Sequence, residues 1–235
     1  MRCLKKIFAG SPTAARIAPF FIFLALTYCQ GKFGTTSAYW FYLAKTFVGA
    51  WLVWEMWPFV LEMRWALSWE AIVVGIGIFA VWVGISGEWT TQNSLWNKLG
   101  LTHSQTGPLK SWNPNESFGE NSPLAWLFIL TRIVGSTLVV PPLEEVFYRS
   151  FLYRYITRPN FISVPFNRFF PWPFVATAAV FGFSHNEWLA GVLCGAAYQW
   201  LVIRKNRLGD AMTAHAITNF LLGLWIVCRS AWHFW

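Results

Sequence analysis

A succession of apolar runs, with most charges held in the short segments between them, constrains this chain more than any other feature. The runs are 17–29, 39–57, 71–85, 124–140, 172–183, 188–203 and about 208–228. Only 12% of the residues are charged, against about 25% in soluble domains, so the composition is that of a membrane protein. At ~20 residues per span the 235 residues leave room for at most about eight helices. The expected fold is all-α: a polytopic membrane bundle of about seven to eight helices. It forms one integral domain, with N-terminal helices and a polar loop in 1–122 and the helices that carry chemistry in 123–228.

The formal net charge of +8 does not point to nucleic acid. The basic residues flank apolar runs, as membrane-flanking residues do. Cys3, Cys29, Cys194 and Cys228 are widely spaced without a CxxC, so they read as small hydrophobes rather than a disulfide or zinc framework.

Arg2, Lys5, Lys6 and Arg16 precede the first run, which resembles the start of a signal peptide. Leu26-Thr27-Tyr28 makes a poor cleavage site and more spans follow, so the expectation is an uncleaved first helix with a cytoplasmic N-terminus. In the second run Lys45 is expected to snorkel. Trp40, Trp51, Trp54 and Trp57 are expected as belt or packing residues. Segment 88–121, rich in Thr, Asn, Ser, Gly and Pro, reads as an exposed loop with His103 a surface histidine. The basic segments at 154–168 and 204–207 are both cytoplasmic candidates. Strict in–out threading does not reconcile all of these, so at least one helix is short or non-spanning. The protein is expected in a membrane as a multi-pass chain, the prokaryotic plasma (inner) membrane being the favoured location.

Within this apolar background, Pro141-Pro142-Leu143-Glu144-Glu145-Val146-Phe147-Tyr148-Arg149 places two carboxylates and an arginine together. Such residues in a membrane segment cost ~2.5–3.5 kcal/mol each on the mildest scale and are functional candidates by default. The prolines should break or restart the helix, giving a new one over about 143–157. In that α-helix Glu145 and Arg149 fall at i, i+4 and form a pair, leaving Glu144 about 100° away. Gly191 and Gly195 sit at the spacing that lets helices approach closely.

Three further polar positions from other apolar segments, His185, His215 and Asn219, complete a constellation with Glu144. Glu144 suits a general base. A water between Glu144 and His185 would be deprotonated and attack a carbonyl carbon. His215 and Asn219, one helical turn apart, would aim donors at the developing oxyanion. Phe147, Trp172, Phe181 and Trp188 suit either a cavity wall for a lipid or apolar peptide, or ordinary packing. Phe181 is the substrate-binding candidate among them.

These residues carry a family resemblance. Glu144-Glu145-Val146-Phe147-Tyr148-Arg149 fits an EExxxR motif, Phe181-Gly182-Phe183-Ser184-His185 an FxxxH motif, and His215-Ala216-Ile217-Thr218-Asn219 an HxxxN motif. All three, in this order on apolar helices, resemble the intramembrane glutamic proteases of the CAAX prenyl protease and bacteriocin-processing group, relatives of the eukaryotic Ras-converting enzyme. The compact length also resembles the bacterial branch associated with exosortase and C-terminal sorting systems. The likeness covers roughly 123–227. It implies Glu144 as the base activating water with His185, Glu145 and Arg149 as the supporting pair, and His215 with Asn219 as the oxyanion site. It implies a lipidated or membrane-associated protein or peptide as substrate, membrane lipids as surroundings, and no cofactor. Two other readings compete. Glu144 or Glu145 with His185 and His215 would also hold zinc, although no HExxH is present. A transporter, proton relay or immunity-type binding protein would also use such a cluster without catalysis.

Overall fold

A computed structural model describes residues 2–100 and 111–235; His103 lies outside them. The described residues form ten helices: α1 Arg2–Gly10, α2 Pro12–Tyr28, α3 Ser37–Met56, α4 Trp69–Ile85, α5 Gln92–Lys98, α6 Pro114–Phe118, α7 Pro123–Thr157, α8 Pro171–Phe183, α9 Trp188–Lys205 and α10 Gly209–Arg229. Among the described residues there is no strand, only one antiparallel bridge between Thr91 and Glu187. Among the described residues two helices, α7 and α10, are long and apolar enough to cross a membrane.

Local chemistry sets the helix starts. The side chains of Ser11, Ser68 and Ser122 accept from the main-chain N–H three residues on, opening α2, α4 and α7. Pro12, Pro114, Pro123 and Pro171 occupy first-turn positions, where the missing N–H costs nothing. Trp40, Trp54 and Trp57 are 48%, 73% and 46% exposed. Large apolar groups left bare on this scale suit lipid contact better than water.

The chain divides into two compact units that interleave along the sequence. The first comprises Met1–Arg64, Ser111–Phe147 and Asn219–Trp235; the second comprises Trp65–Lys110 and Tyr148–Thr218.

In the first unit Arg16 donates to both carboxylate oxygens of Glu62, at 2.7 and 2.9 Å from Nη2 and 2.9 Å from Nε. Tyr39, Tyr42, Trp112 and Phe128 form a buried aromatic cluster, and the Arg132 guanidinium lies over Trp112 at 4.4 Å and Tyr42 at 4.9 Å. Trp112 and Asn113 are buried and α5 and α6 are helical, so segment 88–121 is not simply an exposed loop. Lys45 does not snorkel. It is 6% exposed, donates to Thr27 Oγ1 at 3.0 Å and sits over the Tyr42 ring at 4.4 Å, where the ring's negative face replaces water.

In the second unit α8 and α9 pack with their small residues facing. A methyl group built on Gly191 would meet Gly182 Cα at 2.9 Å, and one on Gly195 would meet Ala178 Cα at 3.1 Å. The expected close approach at this glycine pair is therefore present. Basic groups near the α9–α10 turn are neutralised locally: Lys205 donates to Glu70 at 3.2 Å, and Arg207 donates to Asp210. That last hydrogen bond holds the Arg207 guanidinium above its ordinary range.

α7 departs from expectation. It is one helix of 35 residues rather than two broken at Pro141-Pro142. Gly135–Val139, immediately before the prolines, is wound as a π-helix. That wider turn displaces the carbonyls which the proline rings would otherwise strike, and it absorbs their missing donors. A second π segment runs over Val146–Leu152.

Candidate active site

The Glu144-Glu145 pair ends the short α-helical stretch Val140–Glu145 of α7, and Arg149 lies inside the second π segment. The expected i, i+4 register of Glu145 and Arg149 assumes α winding throughout. With π winding the ladder runs i to i+5, a spacing that differs from the one assumed. Glu145 is fully buried while Glu144 is only partly so.

In the first unit Phe147 stacks on Phe20 at 4.2 Å with the rings 4° from parallel, so it is a packing residue. Asn219, at the first unit's re-entry into α10, donates from Nδ2 to Ser136 O at 2.8 Å. Ser136 belongs to the first π segment. One of the two amide hydrogens of Asn219 is thereby used on the main chain.

In the second unit the polar motif residues gather around one ring, that of Phe181. The Arg149 guanidinium lies 4.4 Å from it, Tyr148 5.0 Å, His185 4.7 Å and His215 6.0 Å. Phe181 is 0% exposed, which makes it the hub of this cluster and leaves no open face for the substrate contact expected of it. Arg149, also 0% exposed, donates from Nη2 to Gly195 O at 3.3 Å. A planar cation held over aromatic faces gains attraction in place of lost hydration.

His185 follows the end of α8. Its Nδ1 lies 2.8 Å from Phe181 O. A carbonyl only accepts, so in this bond Nδ1 is the donor. Gln92 donates from Nε2 to Phe183 O at 2.6 Å and His185 O at 2.8 Å, and its main-chain N–H donates to Asn186 O at 2.9 Å. Thr90 Oγ1 donates to Glu187 Oε2 at 2.8 Å, with Thr90 fully buried. The turn bearing His185 is thus fixed by 90–92, a stretch whose sequence gives no sign of this role beyond a helix cap at Thr91.

His215 is 3% exposed and stacks on Tyr198 at 5.2 Å. The Tyr198 hydroxyl donates to Thr218 Oγ1 at 2.7 Å, and that hydroxyl lies 2.9 Å from Gly75 O and 3.1 Å from Ala214 O. Gly75 admits α10 closely: a methyl group there would meet Ala214 O at 2.8 Å. Among the described residues no group of three His, Cys, Asp or Glu side chains is arranged to hold a metal ion.

Among the described residues these features define a helical protein with two helices long and apolar enough to cross a membrane and a costly set of buried polar residues. Residues 124–221 match the family model for type II CAAX prenyl endopeptidases, described as Rce1-like, and all three motifs lie within the match. The match covers under half of the 235-residue chain, and over that segment the chain is similar to this family of proteases. No curated protein and no solved structure matches the chain.

Proposed function

We propose that the protein is an intramembrane glutamate-dependent endopeptidase that cuts near the C-terminus of a lipidated or membrane-associated protein or peptide. The observation that carries this reading is the trio of motifs in order within 124–221. The packing of Arg149, His185 and His215 around Phe181 gives it further support.

In the proposed reaction Glu144 takes a proton from water as the water oxygen bonds to the scissile carbonyl carbon. His185, with its proton held on Nδ1, accepts from the same water at Nε2. The carbonyl oxygen becomes an oxyanion that receives hydrogen bonds from His215 and from the second amide hydrogen of Asn219. The C–N bond then breaks, and the proton on Glu144 passes to the departing amine. Arg149 and Glu145 act as positioning residues. No side chain becomes covalently attached to substrate, and no metal is needed.

The test compares membrane and secreted peptides from cells carrying the parent protein with those from cells carrying Glu144→Gln. One peptide is expected to accumulate uncut with the variant alone. Equal processing by the two, at equal expression, would remove Glu144 from the reaction. Full activity of purified protein after exhaustive chelation, without stoichiometric metal, separates this mechanism from a zinc-dependent one.

A further inference from the structure

The segment between α7 and α8 has more positive charge than it can neutralise. From 146 to 186 the sequence contains four arginines and no Asp or Glu. Arg149 is accounted for by the aromatic cluster described above. Arg154 is also occupied: it donates to Ser150 O and Ser150 Oγ, at 2.5 and 2.8 Å, and lies over the Phe166 ring at 4.4 Å. Arg158 and Arg168 are exposed, and no acidic side chain joins them in the pocket of about 610 Å³ that they line with Thr157, Ser163 and Trp172. Lys205 and Arg207, at the turn between α9 and α10, differ, since they meet Glu70 and Asp210.

The frame of this pocket is fixed. The Tyr153 hydroxyl donates to Arg168 O at 2.8 Å and accepts from Phe170 N–H at 3.0 Å, holding the main chain on both sides of Phe169. Trp172, which lines it, is 71% exposed, and Ile162 and Phe169, next in sequence to lining residues, are 48% and 58% exposed. Paired guanidiniums next to bare aromatic and aliphatic groups are the composition of a membrane–water boundary.

We infer that Arg158 and Arg168 bind the phosphate of an anionic phospholipid headgroup, with the lipid's glycerol and upper acyl chain lying on Trp172. Guanidinium forks match phosphate oxygens, and two of them carry enough charge to favour an anionic over a zwitterionic lipid. A peptide carboxylate fits less well, an argument that rests on the proposed cleavage. His185 follows one end of α8 and Trp172 lies at the other, a helix of 13 residues and so about 20 Å long. Three residues beyond a cut in a C-a-a-X sequence reach only ~10 Å.

The experiment places the full chain in nanodiscs made from equal phosphatidylcholine and phosphatidylglycerol, then counts the lipids that stay bound by native mass spectrometry. The parent should retain phosphatidylglycerol over phosphatidylcholine by about 30-fold, roughly fivefold for each arginine near the surface. Arg158→Gln with Arg168→Gln should lose that preference while keeping the parent's melting temperature in pure phosphatidylcholine. Arg204→Gln with Arg229→Gln should keep it. Equal retention by the Arg158/Arg168 variant would overturn the assignment. So would protection of the parent by inorganic phosphate without any phosphatidylglycerol preference, which would indicate a soluble anion. Cleavage by Glu144→Gln has no bearing on either outcome.

Discussion

Gln92 donates from its amide nitrogen to the main-chain oxygen of His185 at 2.8 Å, joining the start of a short surface helix to the turn that bears the candidate catalytic imidazole. The same nitrogen reaches Phe183 O, so both amide hydrogens point at that turn. Gln92→Ala removes two hydrogen bonds worth roughly 1 kcal/mol each, and turnover should fall more than substrate affinity. Gln92→Glu presents a group that accepts but does not donate when ionised, and should be at least as damaging. Thermal unfolding and a split of kcat from KM check this. A fully active Gln92→Glu protein would leave Gln92 with no positioning role.

Arg149 should tolerate no substitution, including lysine. Its planar cation lies over Phe181 and donates to Gly195 O, a combination an ammonium does not reproduce. Loss of a desolvated cation–π contact costs about 2 kcal/mol, so Arg149→Lys should lower the unfolding midpoint in detergent. Arg149→Ala should lower it further. A parent-like midpoint for Arg149→Lys would mean the aromatic contacts contribute little.

The two glycines on α9 and α4 should respond oppositely. Gly191→Ala drives a methyl group against Gly182 Cα, and overpacking of this kind costs about 1–3 kcal/mol. Gly77→Ala meets nothing within 4 Å and replaces a poor helix former, a change worth up to ~1 kcal/mol in favour of the fold. Melting temperatures of the two proteins should therefore move in opposite directions.

Tyr198 and Thr218 should be energetically coupled. Thr218→Val deprives the buried Tyr198 hydroxyl of its acceptor at 2.7 Å, at a cost of about 1–3 kcal/mol. Tyr198→Phe removes that stranded hydroxyl, so the double variant should be more stable than Thr218→Val alone. Simple additivity in the cycle would show that this hydrogen bond contributes nothing to holding the shelf on which His215 stacks.

Helix positions were legible because apolar runs and caps coincide. The runs at 71–85 and 172–183 differ from α4 and α8 by one or two residues at the start, where Ser68 and Pro171 set the true boundary. The three motifs were legible from residue type and spacing, and all lie within the segment that matches the family model. The winding of α7 was not, because a π turn is set by the backbone ladder and Pro141-Pro142 suggested a break. Lys45 misled because a charged tip normally finds water, while here Thr27 and Tyr42 substitute for it. Gln92 was hidden among other polar residues, with no periodicity to mark it.

The second π segment gives α7 a phase that sequence spacing alone does not report. Each π turn holds about one residue more than an α turn, so everything beyond it on the helix is rotated by about 100° from simple α counting. Removing one residue between 146 and 152 should let this stretch relax into ordinary α winding, with little loss of helix content by circular dichroism. Yet it would re-aim the side chains on one flank of the segment while leaving the other unchanged. A deletion there acts as a register shift, distinct in kind from a point substitution, and helix content and activity should separate cleanly in such a protein.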